Sequence, residues 1–214
     1  SPEYTRDYNE IKSLGSLNSI DRTPEQTDLA HFWNSNFVVL LNTLLRDIDA
    51  AHVDNISDSS RLFALAEMSM ADAVITAWEN KVFYVNWRPI TGIREAHTDG
   101  NPRTARDENW LPLIPTPPYP DHTSGANNIT AAATRTLALL FGNHVSFSIT
   151  TTNPGPTVDD TRDYIRFSDV QLEVVDARVY QGIHWRYADE EGRKQGRHIA
   201  QWAFSHFLKP LGGN

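Results

Sequence analysis

Tyr119-Pro120-Asp121-His122-Thr123-Ser124-Gly125-Ala126-Asn127 closes a proline-rich stretch and stands at the head of a predicted helix. The first turn of a helix offers unpaired N–H groups and partial positive charge, which suit an oxyanion. Gly125 lets an anion approach the backbone closely, and Ser124 adds a hydroxyl. Upstream, Lys81 stands seven residues before Arg88-Pro89; downstream, Arg178 stands six before His184. Taken singly, each has an ordinary structural account. Ser124 or Thr123 can cap the helix, Lys81 can complement a helix C-terminus, and Arg88 can meet solvent at a helix exit. Taken together, they read as a cage. Two guanidinium groups bind oxyanions in bidentate fashion and one ammonium adds a point charge. A neutral imidazole nitrogen of His184 can then attack phosphorus or bond a metal oxyanion from the axial side.

Outward from this stretch, helical signals dominate. Thr23-Pro24-Glu25-Gln26 reads as a capping box, and the apolar spacing from Leu29 to Ile48 is helical with one polar break. A second helix is expected after Asp58-Ser59-Ser60, with the small residues Ala66, Ser69, Ala73 and Ala77 on one face. Residues 86–123 read as a long proline-rich loop, a length that is often functional. The third helix is expected from Ser124 to Phe141-Gly142, and Val145 to Thr151 as a short strand or link. A fourth opens on the capping signal Ser168-Asp169-Val170-Gln171, and the last runs from about Asp189 to Leu208. Five helices with long connections predict an all-α bundle. Residues 1–22 are expected to form an irregular arm, and 23–214 one helical domain.

The chain has 214 residues, no cysteine and a formal charge of −8. The absence of cysteine excludes disulfides, thiolate metal sites and a cysteine nucleophile. The charge argues against nucleic acid and anionic membranes as partners, so a phosphate-like anion needs a local basic pocket. No apolar run reaches the ~18 residues of a membrane span. The polar start Ser1-Pro2-Glu3-Tyr4 carries no signal-peptide layout. Compartment stays open, since a soluble protein processed from a secreted or periplasmic precursor would look the same.

The order and spacing Lys81-x6-Arg88-Pro89, Thr123-Ser124-Gly125 and Ala177-Arg178-x3-Gly182-x-His184 resembles the superfamily of vanadium-dependent haloperoxidases and type-2 phosphatidic acid phosphatases. The text around Trp87-Arg88-Pro89-Ile90 and Gly182-Ile183-His184-Trp185-Arg186 resembles its bacterial chloroperoxidase-type branch. The chain looks like the carboxy-terminal, site-bearing portion of that architecture or a short form. The resemblance implies that Lys81, Arg88, Ser124, Gly125 and Arg178 hold the oxygens of vanadate, with phosphate or sulfate able to occupy the same place. It implies that His184 bonds vanadium in a haloperoxidase or carries the phosphoryl group in a phosphatase. Hydrogen peroxide with a halide or small organic substrate are the implied reactants, and a homodimer is an assembly seen in the family. A carboxylate is expected to orient His184, with Asp189, Asp72 and Asp176 as candidates.

Two positions depart from the family pattern. Ala177 stands where the phosphatases have Ser. Ala126 stands where the family keeps its acid–base His, a group whose catalysis contributes ~10²–10⁴-fold. His122 and Asn127 are the nearby groups that could substitute. Three functions therefore follow as expectations: a haloperoxidase-like oxidoreductase with an altered site, a phosphatase through phospho-His184, or a repurposed or inactive member that keeps the anion site. Trp87 and Tyr119 are expected at the pocket mouth.

Overall fold

The computed structural model describes residues 1–151 and 161–209; the last residues of the domain expected over 23–214 lie outside them. The chain is mainly helical, as its patterning predicts. In order it forms α1 (Pro2–Leu14), α2 (Pro24–Phe32), α3 (Phe37–His52), α4 (Ile56–Tyr84), α5 (Pro89–Arg94) and a 3₁₀ turn (Ala96–Thr98). Then come α6 (Gly125–Phe141), β1 (Phe147–Thr150), β2 (Thr161–Tyr164), α7 (Phe167–Tyr180) and α8 (Arg186–His206). The strands pair antiparallel with Phe147 opposite Tyr164 and Thr150 opposite Thr161.

Local chemistry sets these boundaries. Thr23 and Gln26 form the expected capping box on α2. The polar break in the Leu29–Ile48 pattern is a true boundary, because Asn36 Oδ1 accepts from the N–H groups of Val38 and Val39 and starts α3. The first 22 residues correct the expectation of an irregular arm. Ser1 caps α1, which buries Tyr8 and Ile11, while its Asp7 accepts the N–H of Tyr187 at 3.1 Å. The expected loop over 86–123 contains α5, begun by Pro89 in the first helical position. The capping signal at Ser168 is also corrected. Helix α7 begins at Phe167, and Asn143 supplies the acceptor for Ser168 N–H at 3.0 Å. Helix α8 starts at Arg186, slightly before the expected Asp189.

Helix α6 is the centre, packed on α4, α7 and α8. Most of its residues from Asn127 to Leu137 are buried. One core cluster joins α2, α3, α4, α6 and α7 around Phe32, Trp33, Leu41, Leu45 and Phe167, and a second joins α1 and α5 to Trp110 and Trp185. The buried face of α4 runs through Ala66, Ser69, Ala73 and Ala77 to Lys81, so helical periodicity delivers a lysine into the interior. Helix α8 meets α6 through Gly192 and Gly196. A Cβ at Gly196 would stand 2.1 Å from the Asn128 carbonyl oxygen. Gly196→Ala is therefore expected to destabilise the fold by about 1–3 kcal/mol or more, read as a lower urea midpoint.

Candidate functional site

Four segments converge at the N-terminus of α6. Ser124 takes the N-cap position in extended backbone, and its N–H donates to the Ala188 carbonyl at 3.0 Å. It makes no side-chain cap bond to the helix; its Oγ instead accepts from Asn127 Nδ2 at 3.2 Å. The ordinary capping account of Ser124 thus does not hold here. Gly125 follows, and a Cβ there would stand 3.1 Å from the Trp78 ring.

His184 sits after the turn that ends α7 and is buried. Its Nδ1 lies 2.8 Å from Asp121 Oδ1 and its Nε2 3.0 Å from Arg88 Nη1. A guanidinium only donates, so Nε2 must accept and Nδ1 must carry the proton that is given to Asp121. The geometry therefore fixes the tautomer and leaves the basic nitrogen at Nε2. Burial, with Arg88, Arg178 and Lys81 nearby, holds His184 well below its ordinary range and keeps it neutral. Asp121 is pushed up by burial, against the pull of Arg88 and Lys81.

Arg88 reaches across from the start of α5. Its Nε donates to the Tyr119 carbonyl at 2.9 Å and its Nη1 to the Ile183 carbonyl at 2.7 Å, while buried Nη2 has no partner. Arg178, on the last turn of α7, donates from Nη1 to Gln181 Oε1 at 2.8 Å, and its buried Nε has no partner. Burial lowers Arg178 to about 10, so it stays charged at neutral pH. Lys81 donates to the carbonyls of Thr123, Asp121 and Pro120 at 2.6, 2.8 and 3.1 Å. It latches the segment before α6, and burial lowers its pKa.

A cavity of 360 Å³ opens beside these groups. Arg178, His184, Gly125 and Ala126 line it with Tyr119, Ser35 and the apolar Phe37, Val38, Val74, Trp78 and Ile129. The surroundings of Ala126 are thus mainly apolar. His122 is not brought there. Its ring stands between Tyr84 and Tyr187 and lines a separate 470 Å³ cavity with Glu191, Lys194 and His198. The cause is local, since Asp121 is committed inward to His184 and the next side chain turns outward. Tyr119 lines the first cavity as expected, whereas Trp87 is exposed and does not.

The orienting carboxylate is Asp121, which none of the three sequence candidates anticipated. Asp189 is buried against Asn127 at 2.8 Å, Asp176 pairs with Arg186 at 2.8 Å, and Asp72 is exposed. Motif spacing after His184 directed attention downstream, while the partner lies three residues before Ser124.

Residues 61–213 match the model of the VCPO second helical-bundle domain. The chain belongs to the vanadium chloroperoxidase family. It is 33% identical over 137 residues to the vanadium chloroperoxidase of Curvularia inaequalis, a stretch covering 51% of this chain and 22% of that protein. A crystal structure of a bacterial vanadium-dependent iodoperoxidase superposes with a TM-score of 0.78 at 26% identity, over 94% of this chain and 48% of that one. A bacterial vanadium-dependent chloroperoxidase in its holo form shares the fold, with a TM-score of 0.73 at 17% identity over 94% of this chain and 47% of that one. The chain thus spans about half the length of these solved relatives and under a quarter of the curated one.

The family implies vanadate, and the residues present fit a tetrahedral oxyanion. Arg88 Nη2 and Arg178 Nε are buried cationic donors without partners, the start of α6 is uncapped by any side chain, and His184 offers a lone pair beside Arg88. Leaving such donors unsatisfied is costly, which favours an anion here.

Proposed function

We propose that this chain binds vanadate and, with hydrogen peroxide, oxidises a halide or small organic substrate at reduced or altered rate. The observation that carries this reading is the convergence of Arg88, Arg178 and the basic Nε2 of His184 at one end of α6. Bound vanadate supplies the metal centre at which peroxide is activated. In this chain Arg88, Arg178, Ser124 and the Gly125 N–H would hold the oxyanion's oxygens. Lys81 would add charge while fixing the backbone of Pro120–Thr123, and His184 Nε2 would bond the metal. Asp121 keeps that nitrogen free of a proton by accepting from Nδ1. His184 Nε2 could bond the metal only if Arg88 Nη1 gave up its present contact with it. The apolar lining around Ala126 supplies no general acid, which is why the rate is expected to be low.

Vanadate titration followed by vanadium-51 NMR, with halide oxidation assayed in parallel, tests this. Binding at micromolar vanadate, lost by at least ~10-fold in His184→Ala while folding persists, is the expected result; equal binding in both proteins, or none, would sink it. A second reading, a phosphatase working through phospho-His184, is favoured by the buried Asp121–His184 pair, which presents Nε2 for attack on phosphorus. Turnover of an activated aryl phosphate that is lost in His184→Ala would support it. Vanadate binding without turnover of either kind would point instead to the repurposed member.

As to organisation, we further propose that residues 23–214 form the site-bearing bundle of a larger family architecture. No described helix is long and apolar enough to cross a membrane. A homodimer is the proposed assembly, testable by analytical ultracentrifugation.

A further inference from the structure

The cavity that His184 and Arg178 share is lined by two kinds of side chain. Beside those two polar groups, its wall is hydrocarbon: Phe37 and Val38 on α3, Val74 and Trp78 on α4, Ala126 and Ile129 on α6. The seam between the two kinds is aromatic. The Arg178 guanidinium carbon lies 5.8 Å from the Phe37 ring centre, that of Arg88 4.9 Å from Tyr119, and the Lys81 ammonium 5.8 Å from Trp78. Each ring thus borders both a site cation and the cavity. The rings are also held in place. Phe37 stacks on the buried Trp33 at 5.8 Å. Trp78 packs on Tyr119 at 5.2 Å and over Gly125, where a Cβ would stand 3.1 Å from its ring. Walls set in advance lower the entropy cost of binding.

Size and charge narrow the occupant. Pockets for small organic molecules start at about 300 Å³ and are lined mainly by apolar and aromatic groups with a few polar ones. An apolar cavity of about 150 Å³ holds benzene, so the 360 Å³ here admits a substituted ring or a fused pair. A halide or peroxide would lose hydration against hydrocarbon and gain nothing from it. An organic cation meets Arg178 in the cavity, with Arg88 and Lys81 against its aromatic wall. An organic anion competes with the oxyanion for Arg178. A neutral aromatic molecule meets neither objection. Ala126 leaves room for it, because a histidine at that position would fill part of the same space.

We propose that this cavity binds the organic substrate of the reaction, a neutral aromatic molecule of one or two rings, beside the oxyanion and not in its place. Trp78 and Phe37 are its specificity-determining rings. This rests on the vanadate reading above and narrows its substrate from a halide to an apolar organic molecule.

Indole is the probe, on the full chain, with and without vanadate. Saturation-transfer NMR and calorimetry should detect binding at millimolar indole or below in both states, and vanadate should not displace it. Nuclear Overhauser contacts should join indole to the methyl groups of Ala126 and Val74, a readout that needs no variant. Val74→Trp fills the cavity from an exposed helix position, and Trp78→Ala removes one of its walls. Each should weaken indole binding by ~10-fold or more, the worth of burying one ring, with circular dichroism showing the helices intact. Ala126→His should weaken it as well. Unchanged indole affinity in the folded variants overturns the proposal, as does the absence of indole binding to the wild type. In both cases vanadate binding leaves the oxyanion reading standing. Displacement of indole by vanadate overturns the proposal too, since the two would then share one place. Indole binding at these contacts without any vanadate binding sinks the oxyanion reading and takes the substrate role with it.

Discussion

Replacing Ala126 with histidine is expected to raise peroxide-dependent halide oxidation by ~10²–10⁴-fold, the span of one well-placed general acid–base. Ala126 lines the same cavity as His184 and Arg178, and that cavity holds 360 Å³. The site is on the first turn of a helix whose own N–H groups are uncapped, so the new ring would sit at the wall where the anion is held. The existing neighbours Phe37, Val38 and Ile129 would keep water from it. Halide oxidation measured at saturating vanadate in both proteins checks the gain. No gain, with vanadate still bound, would mean that the proton route does not pass position 126.

Asp121→Ala should cost about 1–3 kcal/mol of stability, the cost of leaving a buried N–H without its acceptor. Asp121 accepts from His184 Nδ1 at 2.8 Å and lies 3.9 Å from Arg88 Nη1. Without it, the His184 Nδ1–H points at nothing, while Arg88 keeps its bonds to the Tyr119 and Ile183 carbonyls. If the ring then moved its proton to Nε2, that N–H would face the Arg88 N–H, donor against donor. Asp121→Asn keeps an acceptor oxygen and should lose much less stability. Urea denaturation at pH 7 separates the two variants; equal losses would show that the carboxylate charge, and not the acceptor oxygen, matters at this position.

The helical class and several boundaries were legible in the chain. Capping chemistry at Thr23 and the start of α6 after Ser124 can be read locally, because the acceptor and donor are a few residues apart. The missed elements share a cause. Helix α1 carries its buried face on only a few residues, Tyr8 and Ile11 among them, set in charged text. Helix α7 takes its cap from Asn143, far outside its own first turn. At the site, spacing singled out Lys81, Arg88, Ser124, Arg178 and His184; the structure brings Arg88, Arg178 and His184 together, while Lys81 is bonded to backbone carbonyls and the Ser124 hydroxyl to Asn127. Asp121 was not, since its pairing with His184 joins segments 63 positions apart. His122 illustrates the converse, because nearness in sequence to Ala126 did not place it in the same cavity.

The turn that presents His184 is held by an interlock of two glycines. A Cβ on Gly182, whose φ is +77°, would stand 2.2 Å from the Gly15 carbonyl oxygen, and one on Gly15 would stand 2.6 Å from the Gly182 Cα. Gly15 closes α1, so the first helix is the back wall of the turn that carries the reactive imidazole. Folding can complete that turn only after segments far apart in the chain have met, a closure whose entropy comes before its non-local contacts reward it. The imidazole's aim is thereby made a late event, and amide exchange around Gly182 should report whether the whole chain has assembled.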